Sequence, residues 1–459
     1  MPLRRLILPL LWLGLLLGPG LRPAAAQTTP PTRPDSLVVE PLAPDTLQAP
    51  GADSLVVEPA APAPAADSVR RPQRTGPQDL SDYAYADSLT AALLARGRWA
   101  ALDSAGRRAL ALGLDYPGLR QRLGYAAALR GRSAEAIGHY ERARRANAAD
   151  PLTGLGLAYG WLALNQRETA AQLARPVSDS LRRALHLSPR AVARVEVELG
   201  GQWPSSADRS AASFARLGVG SQLGGGWALW QAVSHYAQQV RVALPPPDPR
   251  PLPGPEPGRP SWVSVRQFDY QALLTVPLPL QLQGRLGYHF TGSRFHETRY
   301  PGHLGYAALR YVRPTWQLQA GLYAGRLTDT SRTQTELQLT VLPLGTLRLY
   351  GFTRAAFVHS AGRTYPHVLV GAGGRLASRL WAEGYAGWGR VPVLADQDGA
   401  YVYNLLDPLR RRLGLGLLVP LPGGHWQARL YYGAEARTQI QTLTFYTQHT
   451  LTAAATWTW

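Results

Sequence analysis

Apolar side chains recur along this chain with two different periods, and the change of period divides it. From Leu80 to about Leu187 they recur with the spacing of helices, in a stretch dominated by Ala, Leu and Arg. From Arg190 to Trp459 the period falls to two. Segment 281–290 places Leu282, Gly284, Leu286, Tyr288 and Phe290 on one face and Gln281, Gln283, Arg285, Gly287 and His289 on the other. Segment 316–325 sets Trp316, Leu318, Ala320, Leu322 and Ala324 against Gln317, Gln319, Gly321, Tyr323 and Gly325. Segment 426–435 sets Trp426, Ala428, Leu430, Tyr432 and Ala434 against Gln427, Arg429, Tyr431, Gly433 and Glu435. The last stretch, 450–459, has Leu451, Ala453, Ala455, Trp457 and Trp459 on its apolar face and threonines with Ala454 on the other. Each predicted strand is about ten residues long, the length of a tilted strand crossing a bilayer. A soluble sandwich would show shorter, evenly looped strands.

Turn chemistry sets the count. Short breaks lie at Gly224-Gly-Gly226, Pro277-Leu-Pro279, Arg313-Pro314, Pro343-Leu-Gly345, Ala377-Ser378 and Pro420-Leu-Pro-Gly-Gly424. Longer polar or Pro-rich connections alternate with them, at 201–210, 243–260, 292–302, 328–332, 360–364, 391–411 and 436–441. That alternation is expected of tight periplasmic turns and larger extracellular loops. It predicts an antiparallel transmembrane β-barrel over 188–459 of about 14 strands, or 12 if the first hairpin stands outside it. An even number returns both ends of the barrel to one side.

Within 80–187, Leu123-Gly124, Gly131, Ala136, Tyr140 and Ala143 have tetratricopeptide spacing: small residues let two helices approach, and an aromatic fills the gap between them. Pro117 and Pro151 are 34 residues apart, the period of that repeat. About three repeats are expected, either as a protein-binding array or as a cap on the barrel. Ahead of them, residues 27–79 are rich in Pro, Ala, Asp and Ser and read as a disordered linker. In that linker Asp35-Ser-Leu-Val-Val-Glu-Pro41 recurs as Asp53-Ser-Leu-Val-Val-Glu-Pro59, a duplicated spacer or a docking motif for a periplasmic partner. Residues 1–26, with Arg4, Arg5, an apolar run and Pro23-Ala-Ala-Ala26, read as a secretory signal peptide.

Composition changes this picture little. Cysteine is absent, which removes disulfides, thiol nucleophiles and an N-terminal lipid anchor. The formal charge is +18, all 48 basic side chains are arginine, and removing Arg4, Arg5 and Arg22 with the signal leaves +15. These arginines are scattered through alternating strands instead of forming a basic stripe, so no nucleic-acid partner is expected. No metal-ligand spacing, phosphate loop or nucleophile elbow appears, and neither a cofactor nor a catalytic residue is expected. The one pair to weigh is His289 with Thr291, with Ser293 beyond, placed as barrel lipases place a His and a Ser; no acid is identifiable in sequence to orient the imidazole. The inward faces carry Arg285, Arg348, Arg354 and Arg429 with His289, Glu336 and Glu435, which read as polar filling or as a passage favouring anionic solutes or acidic polysaccharide.

The Trp457-Thr-Trp459 ending resembles the closing strand of bacterial outer-membrane barrels, whose terminal aromatic is read by the barrel-assembly machinery. Secretion signal, repeat helices on Leu123-Gly124, Ala136 and Tyr140, and a C-terminal barrel together resemble the YaiO-type outer-membrane proteins. More distantly they resemble exopolysaccharide-export barrels with periplasmic repeats. The resemblance implies an outer-membrane location among lipid with the N-terminal region in the periplasm, and a non-enzymatic pore or envelope-assembly role. The alternatives are a plugged anchor whose repeats recruit periplasmic proteins and, more remotely, an outer-membrane hydrolase.

Overall fold

The computed structural model describes residues 79–242, 261–327, 330–399, 401–403, 407–440 and 442–459. The expected signal peptide, all but the end of the linker with its duplicated motif, and the Pro-rich connection 243–260 lie outside the described residues.

Among the described residues seven helices precede the sheet: α1 (Tyr83–Ala95), α2 (Trp99–Ala111), α3 (Pro117–Leu129), α4 (Ser133–Ala146), α5 (Pro151–Leu162), α6 (Arg167–Leu173) and α7 (Asp179–Ala184). Helices α1, α3 and α5 start 34 residues apart, and so do α2, α4 and α6, giving three antiparallel pairs. Local chemistry sets the period. Asp82 and Asp150 cap α1 and α5 by accepting from the amides of Tyr85 and Thr153. Pro117 and Pro151 occupy the first helical position, where no N–H is needed. Gly97, Gly131 and Asn165, again 34 apart, end the first helix of each pair with φ of 64°, 68° and 57°.

Leu123, Ala136, Tyr140 and Ala143 are buried between the pairs. The Tyr140 ring lies between two glycines: a Cβ on Gly124 would come within 2.8 Å of it and one on Gly156 within 2.2 Å. In the same region Arg120 is buried and satisfied by both oxygens of Asp115, a pairing that holds this carboxyl below its usual range. Among the described residues no helix is long and apolar enough to cross a membrane.

The remainder is sheet: β1 (Arg190–Pro204), β2 (Ala212–Gly224), β3 (Trp227–Val242), β4 (Ser261–Pro277), β5 (Leu282–Phe295), β6 (Thr298–Val312), β7 (Trp316–Leu327) and β8 (Thr330–Val341). There follow β9 (Leu349–Ser360), β10 (Arg363–Ala377), β11 (Leu380–Val391), β12 (Leu394–Asp396), β13 (Tyr401–Tyr403), β14 (Leu409–Pro420), β15 (Trp426–Thr438) and β16 (Phe445–Thr458). Strands β12 and β13 pair only with each other. The other fourteen form one closed antiparallel barrel in which β1 seals against β16, with Val197 opposite Ala455. The expectation of 14 strands holds, and the first hairpin belongs to the wall.

The alternation read from sequence is the alternation of burial: Gln283, His289, Gln317, Gln319, Gln427 and Glu435 point in and are buried, whereas Leu286, Leu318, Leu322 and Leu430 are exposed outside. The six short breaks all fall between paired strands. Several of the expected longer connections shrink, however. The stretch 292–302 is almost wholly strand, with only 296–297 between β5 and β6, and 361–362 alone links β9 to β10. Polar residues there signalled loops, but backbone pairing continues after the apolar pattern ends. Thr291 and Ser293 still alternate inward.

The helices sit at the short-turn end of the barrel. The Ala134 amide donates to Gly345 O at 3.1 Å. Gln281 Nε2 donates to Glu141 at 2.8 Å, and Gln283 Nε2 to Thr169 Oγ1 at 3.0 Å. A single apolar cluster joins Ile137, Leu157, Trp161 and Ala170 of the helices to Val312, Leu342, Tyr350, Phe352 and Tyr385 of the barrel. Residues 80–187 produced alone should therefore give a helical circular dichroism spectrum and yet bind a hydrophobic dye, because the part of the cluster facing the barrel is uncovered. A fragment that is helical and dye-silent would show that the barrel contact buries little.

The ending packs at the same end. Trp457 lies 4.8 Å from Trp426 and 5.9 Å from Trp459 between ring centroids, and the Trp459 amide donates to Ala193 O at 3.1 Å across the β1–β16 seam.

Candidate functional site

The connection from β11 to β14 does not stay outside. It turns into the barrel, and its apolar residues make that possible. Val393, Ala395 and Val402 pack against Leu273, Leu304, Tyr306, Tyr323 and Leu327 on one side of the wall. Leu394 packs with Ala356, Val358, Val391 and Leu409 on another. A stretch crossing a polar interior must also satisfy its own polar groups, since unpaired ones are costly to bury. The Gln334 amide does so for Ala395, donating to its carbonyl at 2.7 Å and accepting from its N–H at 3.0 Å.

Three aspartates tie this loop to separate parts of the wall. Asp396 is wholly buried between Arg354 on β9 and Arg412 on β14, with Arg412 Nη1 2.6 Å from Oδ2. Asp398 adopts the left-handed conformation (φ 56°) that Asp tolerates, and Gly399 follows with φ 80°. That tight turn aims the Asp398 carboxylate at Arg285, at the Tyr306 hydroxyl and at Gln319 Nε2, the last at 2.9 Å. Asp407, at the return to β14, accepts from Arg209 Nη2 at 2.8 Å, from Tyr446 Oη at 2.9 Å and from the Ile440 amide at 3.2 Å. Buried charges of this kind persist only when paired and hydrogen-bonded.

The residues singled out by sequence divide as follows. Arg285 and Arg354 hold the loop. Arg429 points inward to Glu196 at 2.6 Å, a carboxylate that also takes Arg194 at 2.6 Å and Thr456 at 3.2 Å. Glu435 pairs with Arg437 at 2.6 Å, and Glu336 is buried on the inward face of β8. Arg348 is different: expected on the inward face of the strand carrying Arg354, it precedes β9 in the turn 342–348 and is exposed. Its guanidinium lies against Gly131, where a Cβ would be 3.2 Å away. The turn runs through position 348, before β9 begins, so the side chain meets the helices instead of the lumen.

His289 is buried beside the acid that the sequence did not reveal, with Nε2 3.3 Å from Asp269 Oδ1. Its other nitrogen lies 2.8 Å from Gly399 O of the loop. The hydroxyls of Thr291 and Ser293 face each other at 3.3 Å, and Ser293 donates to Gln267 at 3.1 Å.

Sequence reasoning misses Asp396, Asp398 and Asp407 because the polar stretch 391–411 reads as an outside loop, and with them it misses their partners Arg209 and Arg412. A signal was present. Val391, Val393, Leu394 and Ala395 form an apolar run that a solvated loop has no use for, followed by two aspartates in an arginine-rich chain.

No protein-family model matches this chain, and no curated protein matches it. Among solved structures it is similar to the Pseudomonas putida toluene transporter TodX, at 8% identity over 60% of this chain and 90% of that one, with a TM-score of 0.40. A Pseudomonas aeruginosa FadL homologue is similar at 9% identity over 60% and 92%, with a TM-score of 0.40. The Acinetobacter baumannii outer membrane protein Omp33 is similar at 8% identity over 59% and 99%, with a TM-score of 0.34. Likeness at this level reaches neither a substrate nor the role of any residue.

Proposed function

We propose that this chain is a bacterial outer-membrane barrel without enzymatic activity that works as a gated passage, the infolded part of its β11–β14 connection that carries Asp396 and Asp398 forming the gate. The observation that carries the reading is the attachment of that loop by Asp396, Asp398 and Asp407 to wall residues from β5, β9, β14 and the β1–β2 connection. The location is supported by the outer face, which is aliphatic at mid-height. Trp227, Trp316, Trp426 and Trp457 ring it near the short turns, and Trp203, Trp262 and Trp388 stand towards the other end, as two interfacial girdles would. The helices then cover the periplasmic mouth, and their 34-residue period supports a tetratricopeptide-like repeat.

With the loop seated, Arg285 and Arg354 are matched by its aspartates, so the closed state has little field to select ions. Lifting the loop removes Asp396 and Asp398 and leaves Arg285, Arg354 and Arg412 facing the passage, so the open state favours anions. In planar bilayers the wild type should conduct rarely, whereas deletion of 393–403 should conduct steadily and prefer chloride in a salt gradient. The preference should shrink at 1 M salt, where the Debye length is about 3 Å. Silence from both proteins would reject the gated passage in favour of a plugged anchor. That second reading draws on α1, α2 and α3, whose shared buried clusters contain no barrel residue; Tyr83 on α1 and Tyr125 on α3 are exposed for a periplasmic partner.

A further inference from the structure

On the outer wall of β4, β5 and β6 the strand register lines up three arginines. Arg266 lies directly opposite Arg294, and Arg294 directly opposite Arg299; all three are exposed. Their parity puts them on the same outward face as Phe268, Tyr288 and Leu309. Like charges directly opposite one another across a sheet are unfavourable. Among the described residues no acid shares the outward face with this row or with the two outward rows below it, and Glu297 in the turn 296–297 is the acid nearest in sequence.

The rows change character towards the short turns. Next comes Phe268, Gly292, Pro301, then Tyr270, Phe290, His303 with Arg326 of β7 opposite His303. Below these lie Ala272, Tyr288, Gly305 and then the aliphatic Leu274, Leu286, Ala307. The wall thus grades from guanidinium through aromatic to aliphatic. Gly292 and Pro301 keep the floor beneath the arginines shallow, while Phe268 stands 41% exposed beside them. About ten residues of each strand span the hydrocarbon. Counted from the short turns, Arg266, Arg294 and Arg299 fall just beyond that span, at headgroup height.

From this gradient we infer that the β4–β7 wall is a binding site for a phosphate-bearing lipid of the outer leaflet. The arginine row holds the phosphates, and the aromatic and small residues below seat the sugar and the upper acyl chains. Guanidinium matches phosphate with paired N–H donors, and phosphate relieves the repulsion between Arg266 and Arg294. A soluble anion would use the arginines alone, whereas a lipid uses the whole gradient. The inference rests on the outer-membrane reading above.

The test uses the full mature chain folded in detergent micelles with lipid A, a diphosphorylated acylated diglucosamine, followed by native mass spectrometry. Wild type should retain lipid A at least tenfold better than its dephosphorylated form, and inorganic phosphate at equal concentration should not displace it. Arg266→Gln/Arg294→Gln/Arg299→Gln should lose that tenfold, and Arg294→Gln alone at least threefold should the triple variant fold poorly. Arg411→Gln on β14, seven strands away around the barrel, should retain lipid A as wild type does. Wild-type retention by a folded triple variant, equal retention of the two lipids, or displacement by phosphate would overturn the site. Fractionation of the native protein away from the outer membrane would overturn the functional reading instead, and the binding in micelles would still report on the wall.

Discussion

Asp396→Ala should be the most damaging single change in the barrel interior and should also open it. Asp396 is 0% exposed, and its partners Arg354 and Arg412 are 2% and 1% exposed. Removing the carboxylate leaves two guanidinium groups buried side by side with this shared counter-charge gone. Breaking a buried ion pair from one side typically costs about 3–5 kcal/mol, most of it the stranded charge. The loop answers that cost by lifting out, so lower thermal stability and higher conductance should appear together. The rescue identifies the cause. Asp396→Asn combined with Arg354→Gln and Arg412→Gln removes all three charges and should recover most of the stability, because a neutral set strands none. If the triple variant is as unstable as Asp396→Ala, packing of the loop rather than charge pairing holds it in place.

On the outer wall, depth should govern what a charge costs. Leu322 lies six residues in from Trp316, near the middle of a crossing of about ten residues, and is 49% exposed on the outer face. Leu318 is only two residues from Trp316 and sits at the girdle. Leu322→Arg should cost roughly 2–4 kcal/mol and Leu318→Arg about 0–1 kcal/mol, measured by urea unfolding from phosphatidylcholine vesicles. Equal costs would reject the depth assignment. Sequence alone makes Gln319→Arg the harmless inward control, and the structure withdraws it. Gln319 accepts from Arg310 Nε at 2.7 Å and donates to Asp398 and Tyr306, so another guanidinium there would repel Arg310 and unseat the loop.

The sequence by itself determined which elements form and which way their side chains face. Period two from Arg190 onward and period 3.6 before it are local properties of backbone geometry, and they survive into the structure as alternating burial and as three 34-residue helix pairs. Turn residues carried the strand count for the same reason: Gly225, Gly226, Gly345, Gly423 and Gly424 take positive φ that their neighbours in sequence dictate. What only the tertiary structure decided is where connections go. Whether 391–411 bulges outward or folds inward depends on the width of the closed barrel. It depends equally on whether Gln334, Arg354, Arg412 and Arg209, far apart in the chain, converge to receive it. The same holds for Arg348, whose neighbour Gly131 lies more than two hundred positions away, and for His289, whose acid Asp269 sits one strand over. Alternation tells which face a residue is on; register and closure, both long-range, tell what it meets there.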